Sequence, residues 1–131
     1  MIELVQLTKR YGAIVAVDAL SIAVEPGELV VLLGASGCGK TTTLKMVNRL
    51  VEPDGGTVRL DGEDVRSVPA HALRRQIGYC FQRIGLFPHM TVAENVGITP
   101  RLLGWDVAAI ELRVDELLEL VELEPASIRS R

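Results

Sequence analysis

Residues 29–42 decide the fold, and they read LVVLLGASGCGKTT. Leu29 to Leu33 is a run of five apolar residues without alternation, which is typical of a strand buried on both faces of a parallel sheet. Glycines follow as far as Lys40, and the stretch from Thr41 to Leu50 then carries apolar residues at helical spacing. A buried strand that enters a helix through a glycine-rich loop predicts an α/β protein of the P-loop type.

The loop between this strand and helix matches the phosphate-binding pattern G-x-x-x-x-G-K-[ST]. Its glycines allow backbone N–H groups to converge on phosphate oxygens, and the helix N-terminus adds partial positive charge. Lys40 brings a mobile charge to the β- and γ-phosphates, and the hydroxyl of Thr41 is the expected protein ligand of Mg²⁺. The residues expected to bind the nucleotide are Gly34, Ala35, Ser36, Gly37, Cys38, Gly39, Lys40, Thr41 and Thr42, and the side chain of Cys38 receives no chemical role because its position in the pattern is variable.

The remaining strand signals surround this motif. Ile2 to Leu7 and Ser21 to Val24 roughly alternate between apolar and polar residues, as half-exposed strands do. Thr57 to Leu60 reads as a short strand, and Asp61-Gly62 has the residues of a tight hairpin turn. These stretches predict a small β-rich arm in the N-terminal half. Ile77 to Phe81 is one more strand candidate, after which a loop begins.

The last third of the chain reads as helical. Thr91 and Glu94 have the spacing of a capping box, which marks the start of a helix. Asp106 is placed to cap a second helix, whose apolar positions are Val107, Ile110, Val114, Leu117, Leu118 and Val121.

Composition narrows the classes of partner. The chain has 131 residues, of which 48% are apolar, and this is about one domain in length. A net charge of -3 with mixed signs offers no basic stripe for nucleic acid, so no nucleic-acid partner is expected. No run of about 18 apolar residues and no signal-peptide pattern occurs, which favours a cytoplasmic location. Cys38 and Cys80 form no CxxC pair and are expected to be free thiols.

The residues around the P-loop resemble the nucleotide-binding domain of ATP-binding-cassette (ABC) transporters along the whole chain. Tyr11-Gly12 resembles the family's aromatic loop, which implies that the Tyr11 ring stacks on adenine with Ala16 nearby. Gln82 resembles the glutamine that reaches Mg²⁺ and the attacking water in the family. The resemblance therefore implies Lys40 and Gln82 as catalytic residues, and Thr41 and Gln82 as metal ligands.

The same resemblance implies partners. The loop after Gln82, including the stretch from Phe87 to Val96, matches the family pattern for the segment that meets a transmembrane permease subunit. ATP is expected to lie between two nucleotide-binding subunits, so the parent protein is expected to dimerise. A solute-binding protein outside the membrane is an indirect partner, and the chain is expected to lie on the cytoplasmic face of the membrane.

Within the family, several stretches of this sequence resemble those of the ATP-binding subunits of importers of osmoprotectants such as glycine betaine, proline and choline. The stretches that carry this likeness are Lys45 to Leu50, Asp61 to Asp64, Arg83 to Thr91 and Pro100 to Trp105. These residues are not expected to touch the solute, because the membrane and binding subunits select it.

The family also has a signature segment, a strand ending in Asp-Glu and a switch histidine, and none of these patterns occurs in residues 1–131. We therefore expect residues 1–131 to be the N-terminal part of an ABC-type nucleotide-binding domain, truncated before the signature segment. The resemblance implies that the parent protein is the ATPase motor subunit of an importer, whereas this fragment alone is expected to bind ATP without completing catalysis and to self-associate. Two alternatives stay open at this point, namely a nucleotide-binding module without catalysis and a small P-loop kinase.

Overall fold

The computed structural model describes residues 1–82 and 85–124, which fall into two compact units, one from Met1 to Tyr79 and one from Cys80 onward. The first unit contains the elements β1 (Ile2–Tyr11), β2 (Ile14–Val24), α1 (Lys40–Val47), β3 (Gly55–Leu60), β4 (Glu63–Asp64), a 3₁₀ turn (Val65–Ser67) and α2 (Ala70–Gln76). The second contains α3 (Val92–Leu102) and α4 (Val107–Leu120).

The sheet of the first unit is antiparallel and has the order β2-β1-β3-β4. Its inward side chains and those of the helices form one apolar core, which consists of Leu4, Leu7, Val17, Met46, Val58, Val65 and Leu73. Asp61 and Gly62 join β3 to β4, and both have left-handed φ angles, of 51° and 84°. Two left-handed residues make the turn that matches the twist of a hairpin, so the predicted β-rich arm and its turn are confirmed.

The C-terminal end of α1 is fastened to this arm by Arg49. Its backbone is left-handed, with φ of 50°, and its guanidinium Nη1 donates to the carbonyls of Val65, at 3.1 Å, and Val68, at 2.8 Å. Arg74 in turn donates to the Arg49 carbonyl at 3.1 Å. These bonds hold α1 at its far end, opposite the glycine-rich loop.

The second unit is held by a smaller core of Ile110, Val114 and Leu118, against which Val92, Ala93 and Val96 pack. The predicted capping box of α3 is present, since the Thr91 hydroxyl accepts from the Glu94 N–H and the Glu94 carboxylate accepts from the Thr91 N–H. Asp106 caps α4 as predicted, by accepting from the Ala108 N–H at 3.0 Å. The sequence signals for both helices are therefore confirmed.

Two strand predictions are wrong. Leu29 to Leu33 forms no strand, and Leu29 and Leu33 are each 88% exposed, whereas burial on both faces was expected. Ile77 to Phe81 forms no strand either. A strand exists only when its N–H and C=O groups pair with a neighbour, and the strands that the structure describes pair with each other in the antiparallel arm. An apolar run predicts the tendency of a segment but not the presence of its partner.

In residues 1–82 and 85–124, no helix combines the length and the apolar character that crossing a membrane requires.

Candidate functional site

The glycine-rich loop enters α1 through Gly39, which is the residue that precedes the helix. Gly39 has φ of 94° and Gly37 has φ of 85°, and both angles are in the region that side chains rarely adopt. The first-turn N–H groups of Lys40, Thr41 and Thr42 have no partner within the helix, as at every helix start. The loop and helix therefore meet as the glycine motif predicts, with helix N–H groups at their junction.

Gly39 also lies against strand β2. A Cβ atom at this position would overlap the Ala16 carbonyl oxygen and would press on the Val17 side chain. Because the obstacle is backbone, it cannot move aside as a flexible side chain can. Glycine at position 39 therefore allows the glycine-rich loop to approach the middle of β2 closely, with Ala16 beside the loop.

Lys40 folds back over the loop. Its ammonium donates to the carbonyls of Gly34, at 2.7 Å, and Ala35, at 2.8 Å, and to the sulfur of Cys38 at 3.3 Å. The hydrogen bond from the Lys40 ammonium, opposed by a smaller desolvation effect, lowers the pKa of the Cys38 thiol below its ordinary value. The sequence analysis gave the Cys38 side chain no chemical role, but its sulfur accepts a hydrogen bond from the Lys40 ammonium.

A cleft of about 260 Å³ opens between β2 and the loop. Its lining comprises Ala16, Val17, Asp18, Leu20, Leu32, Leu33, Cys38, Gly39, Lys40 and Thr43. Thr43 is buried and its hydroxyl donates to the Gly39 carbonyl at 3.1 Å. The structure thus brings Ala16, Cys38, Gly39 and Lys40 of the predicted site into one cavity. The lining residues that were not predicted are Val17, Asp18, Leu20, Leu32, Leu33 and Thr43.

Tyr11 ends β1 opposite Ile14, and the residue is 49% exposed. Tyr11 is not among the described residues that line the cleft. The Lys9 ammonium lies 5.6 Å from the centre of the ring. Tyr11 is therefore an exposed aromatic residue of the same unit as the loop, and its role toward adenine stays a prediction.

Gln82 is exposed and belongs to the second unit. In the loop that follows, Leu86 and Phe87 are also exposed, and Asn95 of α3 holds the loop backbone. The Asn95 amide accepts from the Phe87 N–H at 2.8 Å and donates to the carbonyls of Phe87, Met90 and Thr91. Arg83 and Ile84 belong to a stretch that resembles osmoprotectant importers, and they lie outside the described residues.

The family resemblance named Ala16, but sequence reasoning missed its β2 neighbours Asp18 and Leu20, because the motif is local whereas these residues lie far from it in the chain. One signal could have found these neighbours. The glycine directly before the lysine of the motif indicates that another backbone approaches closely, although it does not say which one.

Comparison with known proteins identifies the class to which this fold and loop belong. The ABC transporter family model matches residues 17–130. The chain therefore belongs to the ABC transporter family, and the small-kinase alternative is wrong. The structure is similar to that of the ATP-binding cassette MJ0796 in a dimeric post-hydrolysis state bound to ADP and Pi, with a TM-score of 0.86 and 29% identity over 100% of this chain and 61% of that one. The predicted α/β fold of the ABC type is thereby confirmed.

Two curated relatives are similar over most of this chain. The osmoprotectant import ATP-binding protein OsmV of Salmonella typhimurium is 49% identical over 95% of the chain and 34% of the relative. The glycine betaine uptake system ATP-binding protein YehX of Escherichia coli is 49% identical over 100% of the chain and 42% of the relative. The predicted likeness to osmoprotectant importers is confirmed, and the chain spans roughly a third to two fifths of the length of these relatives.

The contact between Lys40 and Cys38 makes a prediction about pH. Since the ammonium stabilises the thiolate, Lys40→Ala should raise the pKa of Cys38 toward its ordinary value of 9.0, while Lys40→Arg, which keeps the cation, should hold it lower. The thiolate is the reactive form, so alkylation of Cys38 near neutral pH should slow in Lys40→Ala. The measurement is the rate of iodoacetamide labelling against pH, followed by mass spectrometry of the Cys38 peptide. Cys80, which is also exposed, is the internal control. Identical pH profiles in all three proteins would show that Lys40 does not act on this thiol.

Proposed function

We propose that this chain binds ATP together with Mg²⁺ in the cradle formed by residues 34–42, as the N-terminal part of an ABC nucleotide-binding domain. The observation that carries the proposal is the junction at Gly39, where a left-handed glycine turns the loop into α1 and leaves Lys40 on the rim of a cleft. The match to the ABC transporter family supports it. MJ0796, which is similar in structure, was solved with ADP and Pi.

Each part of the cradle has a proposed task. Backbone N–H groups among residues 34–39 and in the first turn of α1, up to Thr42, donate to phosphate oxygens, aided by the positive end of the helix dipole. Lys40 exchanges the carbonyls of Gly34 and Ala35 for oxygens of the β- and γ-phosphates. The exchange is favourable because its present partners are neutral, and a hydrogen bond between two charged groups is stronger than one to a carbonyl.

Thr41 fits the requirement of a magnesium ion. Mg²⁺ prefers oxygen ligands and keeps several of its waters, so one or two protein oxygens are enough. Thr41 is the second residue of α1 and is half-buried at the loop, and the described residues contain no group of three or more His, Cys, Asp or Glu that could hold a metal. We therefore assign the Thr41 hydroxyl as a ligand; the role of Gln82 as a further ligand rests on its resemblance to the family's glutamine alone. Bound Mg²⁺ supplies charge neutralisation on the phosphates.

Tyr11 and Ala16 are proposed for the base end of the nucleotide. The Tyr11 ring is exposed at the end of β1, and Ala16 lines the cleft near Lys40. A flat aromatic ring stacks well on a flat purine, and a small residue leaves space beside it. ATP and ADP carry the same base, so this end of the site serves both.

In the whole protein, the proposed activity is ATP hydrolysis that powers import of an osmoprotectant. OsmV and YehX, the similar proteins, are named for osmoprotectant import and glycine betaine uptake. Lys40 and Gln82 would serve catalysis there, Lys40 by stabilising charge on the γ-phosphate and Gln82 by positioning water. Two such subunits would dimerise on the cytoplasmic face of the membrane, joined to a permease that receives solute from a binding protein.

Lys40→Ala tests the cradle. The variant loses a charge-assisted contact, so ATP affinity should fall about tenfold to a hundredfold. Lys45→Ala, in the last turn of the same helix and exposed, is the matched control and should bind as the unmodified protein does. Titration with a fluorescent ATP analogue measures both, and a phosphate-release assay on the same samples separates binding from turnover. Equal affinity in the two variants would remove the main support for the proposal.

Leu86→Ala and Phe87→Ala test the docking surface of the loop after Gln82. Both side chains are exposed on a loop whose backbone Asn95 holds, and apolar side chains exposed on a loop suit contact with another protein. Transport by the importer should fall while ATP affinity stays unchanged. Leu112→Ala is the control, since Leu112 is 66% exposed and Leu86 is 64% exposed. A parallel loss of ATP binding and transport would make these residues part of the fold rather than of an interface.

A further inference from the structure

The Tyr11 ring, which is proposed to stack on the base, is contacted by the side chain of Lys9. Lys9 and Tyr11 lie two residues apart on β1, so their side chains leave the same face of the strand. The Lys9 ammonium lies 5.6 Å from the centre of the Tyr11 ring, within the range of a cation–π interaction. The Lys9 side chain is only 15% exposed, which is low for a lysine near the end of a strand. Its position is therefore fixed by its surroundings.

Asp54 fixes it. This residue lies in the turn between α1 and β3, and its carboxylate accepts from the Lys9 ammonium at 2.9 Å and from the Arg10 N–H at 2.7 Å. The Asp54 N–H donates to the Thr8 carbonyl at 2.9 Å, so the backbone of the turn is attached to the same strand. The bond from the Arg10 N–H, more than the one from Lys9, lowers the pKa of Asp54, and the carboxylate stays charged at neutral pH.

We propose that Lys9 and Asp54 are positioning residues that fix the Tyr11 ring as a one-sided platform for the adenine base. Lys9 covers one face of the ring, and the base stacks on the other face. The inference rests on the proposed role of Tyr11 and names the residues that give the ring a single orientation. Asp54 acts through Lys9 and through the Arg10 N–H beside Tyr11, and it does not itself touch the ring or the base.

The binding experiment compares ATP with inorganic triphosphate, which has the same charge-bearing end and no base. Lys9→Met and Asp54→Asn should weaken ATP binding about twofold to fivefold, the loss expected from a cation–π contact at an exposed site, and should leave triphosphate affinity unchanged. Lys9→Arg should bind ATP normally because guanidinium keeps both the charge and the ring contact. In a Tyr11→Ala background, Lys9→Met should cause no further loss.

Asp64→Asn is the matched control for Asp54→Asn. Asp64 belongs to the same unit, accepts from a backbone N–H, that of Arg66, at 2.8 Å, and pairs with the Arg66 guanidinium at 2.9 Å. Its loss should leave ATP binding unchanged. A loss of ATP and triphosphate affinity by the same factor in the Lys9 and Asp54 variants would assign both residues to the fold and overturn the proposal. So would normal ATP binding in these variants while Tyr11→Ala binds weakly.

A second measurement needs no nucleotide. A proton above an aromatic ring is shifted upfield in NMR spectra, so the ε-methylene protons of Lys9 should resonate upfield in the unmodified protein and should return toward ordinary positions in Asp54→Asn and in Tyr11→Ala. Ordinary Lys9 shifts in the unmodified protein would contradict the arrangement itself. If the shifts are as expected but Lys40→Ala and Tyr11→Ala both bind ATP normally, the proposed function fails, and the platform role fails with it although the contact is real.

Discussion

The contact between Gly39 and the Ala16 carbonyl is the constraint on which the rest of the site depends. It brings the start of α1 so close to β2 that a single added carbon would overlap backbone. The β-rich arm and the glycine-rich loop are thus packed together, and residues of both line the cleft between them. Arg49 secures the other end of α1 to the turn before α2, so the helix is held at both ends. A helix held in this way presents its N-terminus in a fixed position, which is what an anion site needs.

Lys40 and Lys9, which belong to the same unit, differ in the charge of their hydrogen-bond partners. Lys40 is bound to two carbonyls and a thiol, all of them neutral or weakly acidic partners, and its ammonium is free to move to a stronger anion. Lys9 is bound to the Asp54 carboxylate, which is itself bound to the Arg10 N–H, and its ammonium stays beside the Tyr11 ring. The mobile charge suits contact with phosphate, and the fixed charge suits support of an aromatic ring.

Local patterns in the sequence predicted what is local in the structure. The glycine motif, the Asp61-Gly62 turn and the caps at Thr91 and Asp106 were all found, because each depends on residues within a few positions. Leu29 to Leu33 was wrongly predicted as a buried strand, since burial and pairing require neighbours that an apolar run does not specify. The pair formed by Lys9 and Asp54 spans 45 positions, and no periodicity connects two such residues. Sequence therefore predicts local turns and helix caps better than it predicts strands whose partners lie elsewhere in the chain.

The most direct test of the cradle is an NMR titration of the labelled protein with ATP and Mg²⁺, in which backbone amide shifts are followed residue by residue. We expect the largest changes at Gly37, Gly39, Lys40 and Thr41, with a smaller change at Ala16, all saturating along one binding curve because these residues form one site. Inorganic triphosphate should reproduce the changes in the loop. Changes concentrated in α3 and α4, or a loop from 34 to 42 that does not respond at saturating ATP, would contradict the assignment of this loop as the nucleotide site.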